Sequence, residues 1–220
     1  MRTAIFDLDG TLVDTSRDLI AAANSCFEAM GAGAMLDAQA DAATAFRGGR
    51  AMLRLGLARL GRSEAEAEID RWFPRFLAAY ESVIDRESRL YPGAMEAVAA
   101  LSADGWRVGI CTNKPAALAE LLLARLGVRD AFAGLVGADT LPVRKPDPAP
   151  YREAVRRAGG DPARSLLVGD TITDRDTARA AGVPVVLVTF GPGGGEVAAL
   201  APDALLEHFA ALPALAARLV

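Results

Sequence analysis

The 220-residue sequence contains little cysteine, a single histidine and no long apolar run. Cys26 and Cys111 lie in apolar surroundings without metal-type spacing, so we expect reduced core thiols in a cytoplasmic protein. His208 stands in the C-terminal part of the chain, where we expect a surface or packing residue. No stretch is apolar enough to span a bilayer and no signal-peptide layout opens the sequence, so we expect no membrane partner.

The charge distribution lacks a basic stripe, and the formal net charge is −4. This balance argues against nucleic acid as the main partner. Apolar residues make up 52% of the chain, which predicts a globular protein with one sizeable core or a core with a smaller insert. We expect a small phosphorylated metabolite as partner and a monomer or homodimer as the assembly.

The pattern of apolar residues predicts an α/β fold. Ala4–Phe6 is a short apolar run typical of a buried strand. From Leu19 to about Arg89 the pattern is helical only, with runs at Leu19–Met30, Ala42–Phe46, Ala51–Leu60, Ala65–Trp72 and Phe76–Ile84. We therefore predict a doubly wound, parallel-sheet (Rossmann-like) core of residues 1–14 and 90–220. Residues 15–89 are predicted to form an α-helical cap inserted after strand 1.

Strands and helices alternate after Leu90. Further strands are predicted at Trp106–Cys111, Phe132–Val136, Ser165–Val168 and Pro184–Phe190. Near the C-terminus we predict helical turns over Ala204–Leu212, and a new helix from Pro213 because proline favours a first helical turn.

Two carboxylates, Asp7 and Asp9, follow the first predicted strand. Residues i and i+2 of a strand point the same way, so these side chains should lie together. Two carboxylates this close repel each other unless a cation lies between them or one of them is protonated. Gly10 allows a sharp turn that brings backbone N–H groups toward an anion. The alternative, polar residues entering a loop, is the better interpretation of such a pair when it stands alone.

Three further strand ends carry polar groups. Each has an ordinary explanation by itself: a helix cap, a solvated lysine, or a turn before a helix. The carboxyl ends of parallel strands face one crevice, so together the groups predict a phosphoryl-transfer site with a divalent cation. These groups are Thr112 with Asn113, Lys145, and Asp170 with Asp174.

Four segments carry a resemblance to a known family. DLDGT (Asp7–Thr11), CTNK (Cys111–Lys114), RKPDP (Arg144–Pro148) and VGDTITDRDTARAAG (Val168–Gly182) resemble the four motifs of the haloacid dehalogenase superfamily. The subgroup that the chain resembles most is the phosphoglycolate phosphatase-like hydrolases. The resemblance implies a helical cap between the first and second core strands and a Mg²⁺-dependent phosphatase.

The resemblance also implies roles for individual residues. Asp7 would be the nucleophile that forms an aspartyl phosphate, and Asp9 the general acid and then base. Mg²⁺ would be held by Asp7, the Asp9 carbonyl and Asp170, within an acidic set that includes Asp174. Lys145 would be held by Asp170 or Asp174. The expected phosphate-binding groups are Gly10, Thr112, Asn113 and Lys145.

Other residues leave two interpretations open. Arg47-Gly48-Gly49-Arg50 is either a turn between cap helices or a loop that binds the substrate's carboxylate through Arg47 and Arg50. Lys114 either contacts substrate or is solvated beside the site. The Gly191–Gly195 run fails the GxGxxG dinucleotide fingerprint and is better interpreted as a rim loop. Trp72, Phe73 and Phe76 are most simply core residues of the cap.

Three rival functions fit the sequence less well than a phosphatase does. A sugar-phosphate mutase of this superfamily usually carries Glu-Asp where this chain has Gly169-Asp170. A dehalogenase usually lacks a carboxylate at the Asp9 position. A non-catalytic module that binds a phosphorylated ligand would not need Asp9. The sequence therefore favours a phosphatase.

Overall fold

The computed structural model describes residues 1–62, 65–191 and 193–220. The chain forms two compact units. We call Met1–Asp14 with Leu90–Val220 the sheet unit, and Thr15–Arg89 the helical unit. The helical unit is a single insertion in the chain of the sheet unit.

The sheet unit is built on a six-stranded parallel sheet. In the described residues the strands are β1 (Thr3–Phe6), β2 (Val13–Asp14), β3 (Arg89–Leu90), β4 (Arg107–Cys111), β5 (Gly134–Val136), β6 (Ser165–Gly169), β7 (Val185–Val188) and β8 (Ala204–Leu206). The sheet order is β5-β4-β1-β6-β7-β8, and every neighbouring pair is parallel. The two-residue strands β2 and β3 form a separate small sheet.

Helices connect these strands. In the described residues they are α1 (Ser16–Ala29), α2 (Ala42–Ala45), α3 (Gly49–Arg59), α4 (Glu66–Val83), α5 (Ala94–Ala103), α6 (Ala116–Arg125), α7 (Pro148–Arg157), α8 (Ile172–Ala181) and α9 (Leu212–Leu219).

The strand order reverses at β1, since the chain runs outward to β5 on one side and to β8 on the other. This is the doubly wound arrangement, and the fold-class prediction is confirmed.

The core of the sheet unit surrounds β1, whose four residues are all buried. On one face, Ile5 and Leu167 of neighbouring strands join a buried cluster with Tyr151 of α7 and Ala178 of α8. Strands covered by helices are apolar throughout because both of their faces are buried. The buried strands therefore fix the positions of the residues that follow their carboxyl ends.

The prediction of helical turns from Ala204 is wrong for its first residues. Ala204–Leu206 is β8, the last strand of the sheet, and Val186 and Val188 of β7 pair with Ala204 and Leu206. Alanine and leucine favour helix, but pairing with an exposed sheet edge and burial of Leu206 override that local preference. The final helix, α9, begins at Leu212 with proline in its first turn.

The helical runs predicted at Ala65–Trp72 and Phe76–Ile84 belong to one continuous helix. A single helix, α4, runs through Pro74. Ile69, Phe76 and Tyr80 are buried along it at helical spacing. Packing of this shared face outweighs the backbone hydrogen bond that proline cannot make.

The strands β2 and β3 were not predicted either, since two residues are too few for a periodic pattern. No helix within residues 1–62, 65–191 and 193–220 has the length and apolar character needed to cross a membrane.

Candidate active site

The sheet register aligns the residues that follow three strands. Phe6 of β1 pairs with Ile110 of β4 on one side and with Val168 of β6 on the other. The chain segments that begin at Asp7, Cys111 and Gly169 therefore leave the sheet at one level. This alignment gathers three of the four motif segments, DLDGT, CTNK and VGDTITDRDTARAAG, at the carboxyl edge of the sheet.

Both oxygens of the Asp7 carboxylate are held. Oδ1 accepts the Leu8 N–H at 2.7 Å, and Oδ2 lies 3.0 Å from Lys145 Nζ. Burial raises the pKa of Asp7 to about 6, although the Lys145 ammonium opposes the rise. The Asp7 side chain is 14% exposed, so the carboxylate is fixed in place but still open to a ligand.

Asp9 lies in a tight loop that begins directly after β1. Gly10 has φ 82°, which only glycine adopts easily, and its N–H donates to the Val13 carbonyl. The Asp9 carboxylate contacts the Lys114 ammonium, with Nζ 2.9 Å from Oδ1 and 3.0 Å from Oδ2. Lys114 is thus no solvated surface residue, since its side chain is 3% exposed.

Lys145 joins Asp7 to Asp174. Its ammonium lies 2.6 Å from Asp174 Oδ1, and the Lys145 side chain is 1% exposed. Burial disfavours this charge, but Asp174 and Asp7 outweigh that effect and the pKa of Lys145 is raised. Of the two aspartates expected to hold Lys145, it is Asp174 that forms the ion pair.

Asp174 is anchored on its other side as well. Its Oδ2 accepts the N–H groups of Asp170 and Thr171 at 3.2 and 3.1 Å, and the Thr171 hydroxyl at 2.8 Å. Gly169 makes room for this arrangement, because a Cβ there would lie 2.3–2.6 Å from the side chain of Asp174. A larger residue at position 169 is incompatible with the Asp174 side chain as it stands.

The carboxylates of Asp7, Asp170 and Asp174 form a cluster that fits a cation. One oxygen from each lies within 4.8 Å of the others. Burial, Asp174 and Asp7 raise the pKa of Asp170 well above its ordinary value, while Thr11 donates to Asp170 Oδ1 at 2.9 Å. In the described part of the chain, Lys145 ion-pairs with Asp7 and Asp174 and offsets one of three charges. An oxygen-rich site with excess negative charge suits Mg²⁺.

Thr112 and Asn113 begin the loop after β4. Thr112 is buried, its N–H donates to the Val136 carbonyl, and its hydroxyl oxygen accepts the Lys114 N–H at 3.2 Å. The Asn113 side chain donates to the Lys145 carbonyl at 3.0 Å. This bond ties the loop after β4 to the segment that carries the second lysine of the site.

Arg47 and Arg50 belong to the helical unit. Arg47 is exposed, whereas Arg50 ion-pairs with Asp70 at 2.7 Å and Glu66 at 3.2 Å. Phe76 is buried in that unit, while Trp72 and Phe73 are half-buried. The role of the two arginines toward substrate stays a prediction.

The remaining expectations concern the C-terminal region. His208 is exposed and precedes a short 3₁₀ turn, Phe209–Ala211. The Gly191–Gly195 run includes Pro192, which lies outside the described residues. Gly191 approaches the Asp9 loop closely, since a Cβ there would lie 3.0 Å from the Gly10 carbonyl oxygen.

Sequence reasoning missed two contacts at this site. The hydroxyl of Thr11 bonds to Asp170, and Lys114 pairs with Asp9. Thr11 stands inside the DLDGT segment and Lys114 inside CTNK, so the motifs marked both residues without indicating their partners.

Comparison with known proteins fits this geometry. The family model of haloacid dehalogenase-like hydrolases matches residues 1–182. The chain belongs to this family. It is therefore a hydrolase, and the sequence-based family assignment is confirmed.

Relatives of this haloacid dehalogenase-like hydrolase share nearly its full length. A phosphoglycolate phosphatase of Mesorhizobium japonicum is 43% identical, with 98% of this chain and 95% of the relative covered. A phosphoglycolate phosphatase of Agrobacterium fabrum is 41% identical, with 99% and 93% covered. A solved structure of a predicted phosphoglycolate phosphatase from Haemophilus somnus has TM-score 0.86 and 28% identity, with 98% and 97% covered.

Proposed function

We propose that this hydrolase is a Mg²⁺-dependent phosphatase that cleaves a small phosphate monoester, with phosphoglycolate as the leading substrate. The observation that carries the proposal is the fixed Asp7 carboxylate with the Asp9 carboxylate two residues further on. The names of the Mesorhizobium and Agrobacterium relatives support the choice of substrate.

In the first step, an Asp7 oxygen attacks phosphorus and the bond from phosphorus to the ester oxygen breaks. Asp9, in its protonated form, gives its proton to the departing alkoxide, and an aspartyl phosphate remains on Asp7. Thr112, the Asn113 N–H and Lys145 bind the phosphoryl oxygens, where the transition state concentrates charge. Gly10 was also expected to bind phosphate, but its N–H donates to the Val13 carbonyl, so we do not assign it to the phosphoryl group.

In the second step, water attacks the phosphorus of the aspartyl phosphate. Asp9, now ionised, takes a proton from that water, and the Asp7 carboxylate leaves as inorganic phosphate forms. One acid group therefore serves both half-reactions, first as proton donor and then as proton acceptor. The proton given to the alcohol in the first step is recovered from water in the second.

Asp7, Asp170 and the Asp9 carbonyl would hold the metal. A bound Mg²⁺ would screen the repulsion between the carboxylate nucleophile and the anionic phosphoryl group. The Asp174 carboxylate faces the same cluster, but its Oδ2 already accepts three hydrogen bonds and its Oδ1 pairs with Lys145, so we assign it chiefly to holding Lys145.

The contact at Gly169 supports a phosphatase over a mutase. A glutamate at position 169 would need the space that the Asp174 carboxylate fills in this chain. The helical unit would serve as a cap that excludes bulk water during the reaction. We also propose that the enzyme acts in the cytoplasm on a small metabolite, as a monomer or homodimer, without nucleic-acid or membrane partners.

A panel of phosphate monoesters with pyrophosphate, ranked by kcat/KM in the presence of Mg²⁺, tests the proposal. We expect hydrolysis of several esters with phosphoglycolate first. A different ester in first place would overturn the substrate assignment alone. No hydrolysis of any ester would overturn the phosphatase assignment itself.

A further inference from the structure

The distribution of lysine in this protein is unusual. Of 24 lysine and arginine residues, two are lysine, Lys114 and Lys145. Their side chains are 3% and 1% exposed, and each ion-pairs with an aspartate of the loop after β1. An ammonium is a compact point charge, whereas a guanidinium is a wide planar fork. The chain therefore uses lysine where a small buried cation meets a carboxylate, and arginine everywhere else.

The contact between Lys114 and Asp9 is two-sided. Lys114 Nζ lies 2.9 Å from one Asp9 oxygen and 3.0 Å from the other. A cation at nearly equal distance from both oxygens fixes the direction in which the carboxylate points. This ammonium therefore restrains the Asp9 side chain in a loop position that lies three residues beyond the strand.

The backbone of Lys114 is braced from the neighbouring loop. Its N–H donates to the Thr112 hydroxyl at 3.2 Å, and its carbonyl accepts the Ala138 N–H at 2.9 Å. Gly137 packs so closely that a Cβ there would lie 2.8 Å from the Lys114 carbonyl oxygen. The Ala116 N–H donates to Asp139 Oδ1 at 2.8 Å. The segment after β5 thus fixes the base from which the lysine side chain extends.

We propose that Lys114 is a positioning residue that holds the Asp9 carboxylate in the direction required for phosphoryl transfer. The inference rests on the proposed function, in which Asp9 acts on the leaving oxygen and then on water. A general acid must lie within hydrogen-bond reach of the atom it serves. A misplacement of about 1 Å can lower a rate about a hundredfold. Lys114 itself donates no proton to the substrate.

Lys114→Met, which keeps the length and apolar stem of the side chain, removes the ammonium. Single-turnover rates should fall by about ten- to a hundredfold with phosphoglycolate, whose alkoxide needs the proton of Asp9. The nitrophenolate burst from nitrophenyl phosphate should change by less than about threefold, because that leaving group needs no proton. Lys114→Arg should restore part of the phosphoglycolate rate. Equal losses on both substrates would overturn the proposal.

A double-mutant cycle shows whether Lys114 acts through Asp9. In the Asp9→Asn background, adding Lys114→Met should leave the slow dephosphorylation rate unchanged, since the group to be oriented is gone. A further drop there would mean that Lys114 acts elsewhere and would overturn the proposal. Wild-type protein that neither hydrolyses phosphate esters nor forms a phosphoenzyme would instead overturn the proposed function.

A spectroscopic measurement covers the case in which Lys114→Met does not fold. Protein labelled with ¹⁵N-lysine has two side-chain ammonium groups, so two Nζ signals suffice for the whole chain. Lys114→Arg assigns them by removing one. Asp9→Asn should broaden or shift the Lys114 signal by exposing its protons to exchange while the circular dichroism spectrum is retained. An unchanged Lys114 signal would contradict the ion pair.

Discussion

Lys145 Nζ lies 2.6 Å from Asp174 Oδ1, and neither side chain is more than 1% exposed. This ion pair joins the loop after β5 to the first turn of α8. The same ammonium reaches Asp7 Oδ2 at 3.0 Å, so a position on α8 controls where the nucleophile is held. The stability of the site and its chemistry therefore depend on the same buried charges.

We expect Asp174→Asn to destabilise the protein and to lower kcat. An asparagine side chain has one oxygen, so its NH₂ group would face either the Lys145 ammonium or the N–H and hydroxyl donors of Asp170 and Thr171. Two donors would then face each other without an acceptor. Breaking a buried pair costs about 3–5 kcal/mol. At about 2–4 °C per kcal/mol for a chain of this size, Tm should fall by about 6–20 °C. Thermal unfolding measures this. Glu153→Gln, which removes surface ion pairs on α7, is the control and should leave Tm nearly unchanged.

Gly169→Ala tests whether the space beside β6 matters. The new Cβ would lie 2.3–2.6 Å from the Asp174 side chain, so the carboxylate must move away from Lys145. Overpacking of this kind costs about 1–3 kcal/mol. We expect lower Tm and a lower kcat. Gly195→Ala is the matched control, because within the described residues no atom beyond its chain neighbours lies within 4 Å of its Cβ position. Full activity of the Gly169 variant would show that Asp174 need not stay where it is.

Metal binding should be measurable apart from activity. Saturation with Mg²⁺ at about a hundred times Kd should raise Tm by about 5–10 °C, because the ion relieves repulsion among Asp7, Asp170 and Asp174. Asp170→Asn, which retains an oxygen for Thr11, should lose this rise. Chelation should abolish turnover, Mg²⁺ should restore it, and Ca²⁺ should bind but support turnover poorly. Full activity in excess chelator would contradict the metal assignment.

The arginines of the helical unit offer a test of substrate recognition. Replacing Arg47 and Arg50 by alanine should raise KM for phosphoglycolate and leave an aryl phosphate nearly unaffected. One charge-assisted hydrogen bond corresponds to about 1.5–3 kcal/mol, or about ten- to a hundredfold or slightly more. Arg50 already ion-pairs with Asp70 and Glu66, so we expect Arg47→Ala alone to carry most of the effect. Equal losses on both substrates would make the loop structural.

Sequence alone was enough for the fold class because helices alternate with apolar runs, and several of these runs end in distinctive polar groups. Ala4–Phe6 before Asp7 and Ser165–Val168 before Asp170 are examples. The register of parallel strands then brings those groups together without further information. The β8 strand escaped prediction because Ala204–Leu206 owes its conformation to the edge of β7 rather than to its own residues.

The sequence indicates which residues belong to the site better than it indicates which of them contact each other. Two aspartates were candidates to hold Lys145, and the choice depends on the turn of α8 and on the missing side chain at Gly169. For Lys114, nothing in CTNK distinguishes a solvated lysine from a buried one. The burial of Lys114 depends on the loop after β5, where the Ala138 N–H donates to the Lys114 carbonyl and holds its backbone in place.

The central claim is that Asp7 receives the phosphoryl group while Asp9 serves as acid and base. Asp9→Asn with nitrophenyl phosphate and Mg²⁺ tests it most directly, since the aryl group can leave unassisted while hydrolysis of the aspartyl phosphate lacks its base. We predict a burst of about one nitrophenolate per site and a phosphate found by peptide mass on Asp7. Asp7→Asn should give neither burst nor modification. Normal steady turnover of the Asp9 variant, or phosphate on another residue, would contradict the account.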